Sequence, residues 1–97
     1  MQYKHTQTIK SCDISNKKLA QEIGDLYYDS LSDFLKELSK KLELDSIADA
    51  NRGRKKLAKN LLQASKHINE ASKNIDTAWD ICKPYVEEFF KDKKSNR

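Results

Sequence analysis

The chain has 97 residues, 37% hydrophobic and 35% charged, with 19 Lys and Arg against 15 Asp and Glu. That length holds one small domain. Two Gly and one Pro are too few chain breakers for an all-β fold, which turns about every 8–12 residues. No apolar run approaches the roughly 18–20 residues of a membrane-spanning helix.

Residues 1–13 alternate weakly, with Tyr3, His5, Gln7 and Ile9 on one parity. No second strand is offered for pairing, so a flexible N-terminal arm is expected. The arm also lacks the apolar stretch of a signal peptide, which makes the cytoplasm the default compartment. Residues 14–90 read as a single helical domain, and 91–97 as a basic C-terminal tail.

Ser15 is a good helix N-cap, and Ile14 before it is placed to staple onto Leu19. Apolar residues then recur at Leu19, Ile23, Leu26, Tyr27, Leu31, Phe34, Leu35, Leu38 and Leu42. Those gaps follow the helical period. Glu22, Asp25, Asp29, Asp33 and Lys36 occupy the opposite face. The spacing predicts a first helix over about 15–43, with Gly24 tolerated inside it at about 1 kcal/mol.

Leu44 and Asp45 break the phase, and Ser46 with Asp49 resembles a capping box. From Ile47 a heptad runs through Ala50, Arg54, Leu57, Leu61, Ala64, Ile68, Ala71, Ile75, Ala78, Cys82, Tyr85 and Phe89, with gaps alternating three and four. This coiled-coil pattern predicts a second long helix over about 46–82. Arg52-Gly53-Arg54 loosens its start, or Gly53 caps a short helix over 46–51. Pro84 removes a backbone donor, so a break is expected at Cys82–Lys83, followed by a short C-terminal helix.

The expected fold is therefore all-α: an antiparallel hairpin of two long helices plus a short helix after Pro84. Leu26, Leu31, Phe34, Leu35, Leu38, Leu57, Leu61, Ile68 and Ile75 are the expected core. A lone pair of helices buries too little apolar surface to offset its ordering entropy. A second copy, completing a four-helix bundle as a homodimer, is the expected remedy. Trp79, Tyr85, Phe89 and Phe90 are candidate partner-binding anchors, because Trp and Tyr are enriched at binding hot spots.

Charge is unevenly spread. Residues 51–66 hold Arg52, Arg54, Lys55, Lys56, Lys59 and Lys66 and no acid. With a turn near 45, Lys36, Lys40 and Lys41 join them in one basic pole. Such a pole either sets the orientation of self-association or attracts a phosphate backbone. Arg52, Arg54, Lys55, Lys56 and Lys59 are the candidate nucleic-acid contacts. No aromatic residues interleave with them to stack bases, which leaves nucleic acid as the second reading.

Catalytic signatures are missing. His67 and Glu70 stand in the reverse of the Glu-x-x-His order used by di-iron bundles. Two isolated glycines build no phosphate loop, and no Gly-x-Ser-x-Gly elbow occurs. Cys12 and Cys82 are not in a Cys-x-x-Cys pair, so free thiols are expected. The sequence thus reads as a non-enzymatic helical interaction module with neither cofactor nor metal.

Overall fold

The computed structural model describes the backbone of residues 5–7, 9 and 14–95, and side-chain surroundings within that span as far as Val86. The described residues form three helices: α1 (Asn16–Gly24), α2 (Tyr28–Asn51) and α3 (Lys55–Ser95). Of the predicted arm (1–13) only 5–7 and 9 are described, whereas the backbone of the predicted basic tail (91–97) is helical as far as Ser95, as part of α3.

Ser15 caps α1 as expected, its hydroxyl oxygen accepting the Lys18 N–H at 3.2 Å. The first helix does not run on to residue 43. It stops at Gly24, where the Asp25 and Leu26 N–H groups close onto the Gln21 and Ile23 carbonyls. Tyr27 is extended (φ −53°, ψ 145°) before α2 begins. The helix then continues through Leu44 and Asp45 to Asn51, so the turn predicted near residue 45 is displaced by about two helical turns.

The real turn is Arg52-Gly53-Arg54. Gly53 adopts φ +81°, a left-handed conformation that costs a side-chain-bearing residue roughly 1–2 kcal/mol. The Gly53 N–H bonds the Ala50 carbonyl at 3.0 Å and the Arg54 N–H bonds the Asp49 carbonyl at 2.9 Å. This is a Schellman closure with glycine just past the cap. Ser46 and Asp49 form no capping box. Ser46 is buried in mid-helix, and Asp49 is tied to Arg52 at 3.2 Å and Arg54 at 3.6 Å.

The second helix begins at Lys55 rather than 46, and runs past residue 82 to Ser95 with Pro84 inside it. No separate helix follows Pro84. The proline removes one bond to the carbonyl four residues back, at Asp80. Proline's fixed φ is itself helical, and the helix runs on through it, with Asp80 and Pro84 both exposed.

α2 and α3 pack antiparallel, and their seam is made of serine. Ser32, Ser39 and Ser46 recur every seven residues on α2; Ala58, Ser65 and Ser72 do so on α3. All six are buried. The Ser32 hydroxyl donates to the Ser72 carbonyl at 3.0 Å, and Ser39 to the Ser65 carbonyl at 2.8 Å. Ser65 returns a bond to the Ser39 carbonyl at 2.8 Å, and Ser46 donates to the Ala58 carbonyl at 2.7 Å. Side chains of one carbon and one oxygen reach the other backbone only when the axes approach toward the short end of the usual 8–10 Å.

This seam lies one position from the predicted one. The heptad column Leu57, Ala64, Ala71 and Ala78 flanks it rather than filling it, and Ile47, Ala50 and Leu57 are exposed. Ala58 is the sole buried hydrophobic residue among those described. Of the expected core, Leu26 (41%), Phe34 (42%), Leu38 (38%) and Leu57 (47%) are exposed, and the rest are half-buried. The molecule is a flat ribbon with extents of 61 × 30 × 15 Å and a radius of gyration of 17.9 Å. A compact chain of this length would have about 12–13 Å.

Two stability predictions follow from the turn and the seam. Gly53→Ala, which meets no atom within 4 Å, is expected to destabilise the hairpin by about 1–2 kcal/mol through backbone strain alone, measured by urea unfolding. At the seam, Ser39→Ala should cost about 1 kcal/mol for its lost hydrogen bonds. Ser39→Leu should cost more, because the helices must separate to admit it; equal midpoints for the two variants would contradict a close-packed seam.

Candidate interaction surface

In an antiparallel pair of right-handed helices, positions equally offset from the seam lie on the same side of the hairpin. The Lys36–Asp76 ion pair, each residue four past a seam serine, demonstrates this at 3.2 Å. That side is polar. It carries an open groove lined by Asp33, Lys36, Glu37, Ser39, Lys40, Glu43, Leu62, Ser65, Lys66 and Asn69.

The other side is apolar. Three residues past the seam serines stand Leu35, Leu42, Leu61, Ile68 and Ile75; one residue before them stand Leu31, Leu38, Leu57, Ala64, Ala71 and Ala78. Most of these are half-buried, while Leu38, Leu57 and Ala71 are exposed. Among the described residues, no helix lies over this side as α2 lies over α3. The heptad recognised in the sequence is this face.

Trp79 takes the next seam position after Ser72. An indole cannot occupy a gap that fits serine, and α2 has already ended on its facing side. The chain at 25–27 is non-helical there, and Tyr27 stacks on Trp79 with centroids 6.0 Å apart and planes 23° apart. Leu26, Tyr28, Gly24, Asp25 and Val86 complete a shallow notch around the pair. Of the other predicted anchors, Tyr85 is 71% exposed, and the side chains of Phe89 and Phe90 lie outside the described residues.

The basic cluster is redistributed by the displaced turn. Arg52 and Arg54 sit at the hairpin tip, held by Asp49. Lys55, Lys56 and Lys59 are exposed on the first turns of α3, and among the described residues no ion pair engages them. Lys36, Lys40 and Lys41 do not join this pole. They pair with Asp76, Glu37 and Asp45, and Lys41 stands roughly 17 Å from the tip at 1.5 Å per residue. Lys66 stands in the polar groove with Lys36 and Lys40, so the nine-cation pole anticipated from the sequence is a five-cation tip.

Among the described residues, no group of three His, Cys, Asp or Glu is placed to hold a metal ion, and no helix is long and apolar enough to cross a membrane. His67 and Glu70 are exposed. Cys82 is a half-buried free thiol, and Cys12 lies outside the described residues. No protein-family model, curated protein or solved structure matches the chain.

Asp76 is held below its ordinary value of 3.8 by Ser32 and Lys36 beside it; the single Ser32 hydroxyl proton is given to the Ser72 carbonyl, so the Lys36 ammonium at 3.2 Å is the standing cause. A depressed carboxylate stabilises the fold above its unfolded pKa, and this contribution is lost as pH falls through the folded value. The Asp76 carboxyl should therefore titrate below free Asp by NMR. Lys36→Met should raise its midpoint toward that of free Asp; an unmoved midpoint would remove the assigned cause.

Proposed function

We propose that this protein is a non-enzymatic helical-hairpin interaction module that self-associates through its apolar face, two copies forming a four-helix bundle. One observation carries the reading. The seam that holds the hairpin together buries serines and one alanine, while a continuous row of Leu and Ile lies along one side. Apolar surface is the main source of favourable free energy in folding and association, at about 25 cal/mol per Å². A hairpin that spends so little of it internally has most of it available for a partner. The exposed fraction of Leu38 and Leu57 and the single-layer thickness of 15 Å support the same reading.

Nucleic acid remains the second reading, through the cationic tip. It is supported less well, because two of the five cations already share Asp49.

Sedimentation equilibrium at micromolar concentration should give twice the 11.3 kDa of one chain. Leu38→Glu with Leu57→Lys should weaken association at least tenfold while leaving the helical circular dichroism intact, since both side chains are already exposed in one hairpin. A monomer throughout the concentration range would overturn the proposal.

A further inference from the structure

We infer that the second copy docks head over tail, the basic hairpin tip of each copy lying over the acidic open end of the other; the inference rests on the self-association proposed above. The occupant is a second copy because the surface is complementary to itself in size and charge. At 1.5 Å per residue the apolar rows run about 32 Å on α3, from Leu57 to Ala78, and about 17 Å on α2, from Leu31 to Leu42. Each row is about 10 Å wide, one helix across. Covering them on both copies removes roughly 1,000 Å², the size at which a specific interface begins.

Two arrangements with two-fold symmetry bring these sides together. With tip over tip, α2 packs on the second copy's α3. With tip over open end, α3 packs on α3 and α2 on α2. Both give antiparallel neighbours throughout, so packing geometry does not choose between them.

Charge does. The tip, residues 45–59, holds Arg52, Arg54, Lys55, Lys56 and Lys59 against Asp45 and Asp49. The open end, formed by 22–36 and 71–83, holds Glu22, Asp25, Asp29, Asp33, Asp76 and Asp80 against Lys36, Lys73 and Lys83, with Lys36 paired to Asp76. The poles stand roughly 30 Å apart along the helices. Tip over tip places like poles together, whereas tip over open end places each pole against its opposite. Most of these charges lie on the outer and polar sides of the hairpin and act across the bundle through the solvent; Asp45 and Asp49, flanking Ser46, lie at the tip end of the apolar side. Their influence extends over about 30 Å at 0.01 M salt and about 10 Å at 0.1 M.

The arrangement is tested in the full chain by two readouts of opposite sign for the two orientations. Raising NaCl from 20 to 200 mM should weaken self-association several-fold; tip-over-tip association would instead tighten. Energy transfer between dyes gives the second readout, in chains carrying Cys12→Ser and Cys82→Ala. A donor on Asn60→Cys with an acceptor on Thr77→Cys of another chain should transfer more strongly than a donor and acceptor both on Asn60→Cys. The reverse order, or affinity that rises with salt in a dimer, overturns the orientation and leaves self-association standing. A chain that stays monomeric overturns both.

Discussion

The close approach of α2 and α3 governs the architecture. It depends on a small side chain at each seventh position of both helices; Ser32, Ser39, Ser46 and Ser65 each donate to a carbonyl across the seam, and Ser72 to Asn69 of its own helix. Serine suits this role twice over. It is small enough to admit the opposing backbone, and its O–H finds an acceptor there, so burial leaves no polar group orphaned. The reciprocal pair of Ser39 and Ser65, each donating to the other's carbonyl at 2.8 Å, also fixes register. A slip of one helical turn along the seam would set Ser39 against Leu61 and Leu62, or against Ile68 and Asn69, all too large for the gap.

The same seam explains the ends of the hairpin. At one end Gly53 closes the turn as soon as the spacing of α2 and α3 permits, with Asp49 neutralising the two arginines beside it. At the other end the seam position passes from Ser72 to Trp79, and the close-packed geometry cannot continue. The chain leaves the helix at 25–27, and the indole stacks on Tyr27. α1 is thus a separate element because of a side chain some fifty residues away in sequence, not because of Gly24 alone.

Much of this was legible in the sequence, and the errors share one cause. Helicity, the antiparallel hairpin, the Ser15 cap and the apolar heptad from Leu57 onward follow from period and capping chemistry. The misreading lay in assuming that the most apolar stripe faces the neighbouring helix. That assumption put the seam at Leu57, Ala64 and Ala71 instead of Ala58, Ser65 and Ser72, and it placed the turn at Leu44–Asp45, where the stripe changes phase. The usable signal was the seven-residue spacing of Ser32, Ser39 and Ser46, matched by Ser65 and Ser72. Serine at such positions has no advantage in helix propensity, so its recurrence marks a steric demand. Pro84 misled differently. Its missing donor and steric clash predict a break, yet the helix runs through it to Ser95.

Small polar side chains in the seam separate two tasks that most helical domains combine. Register and topology are set by hydrogen bonds worth about 1 kcal/mol each, while the apolar surface lies outside the hairpin. On the self-association reading, the hairpin supplies shape and the second copy supplies most of the burial. Assembly then adds to the stability of the hairpin, and apparent stability rises with protein concentration. A seam of leucines would give a more stable isolated hairpin, but its wider spacing would splay the flanking rows at Leu35, Leu42, Leu61 and Ile68. The serines keep those rows side by side as one flat surface, and a flat surface is what a second flat hairpin can cover.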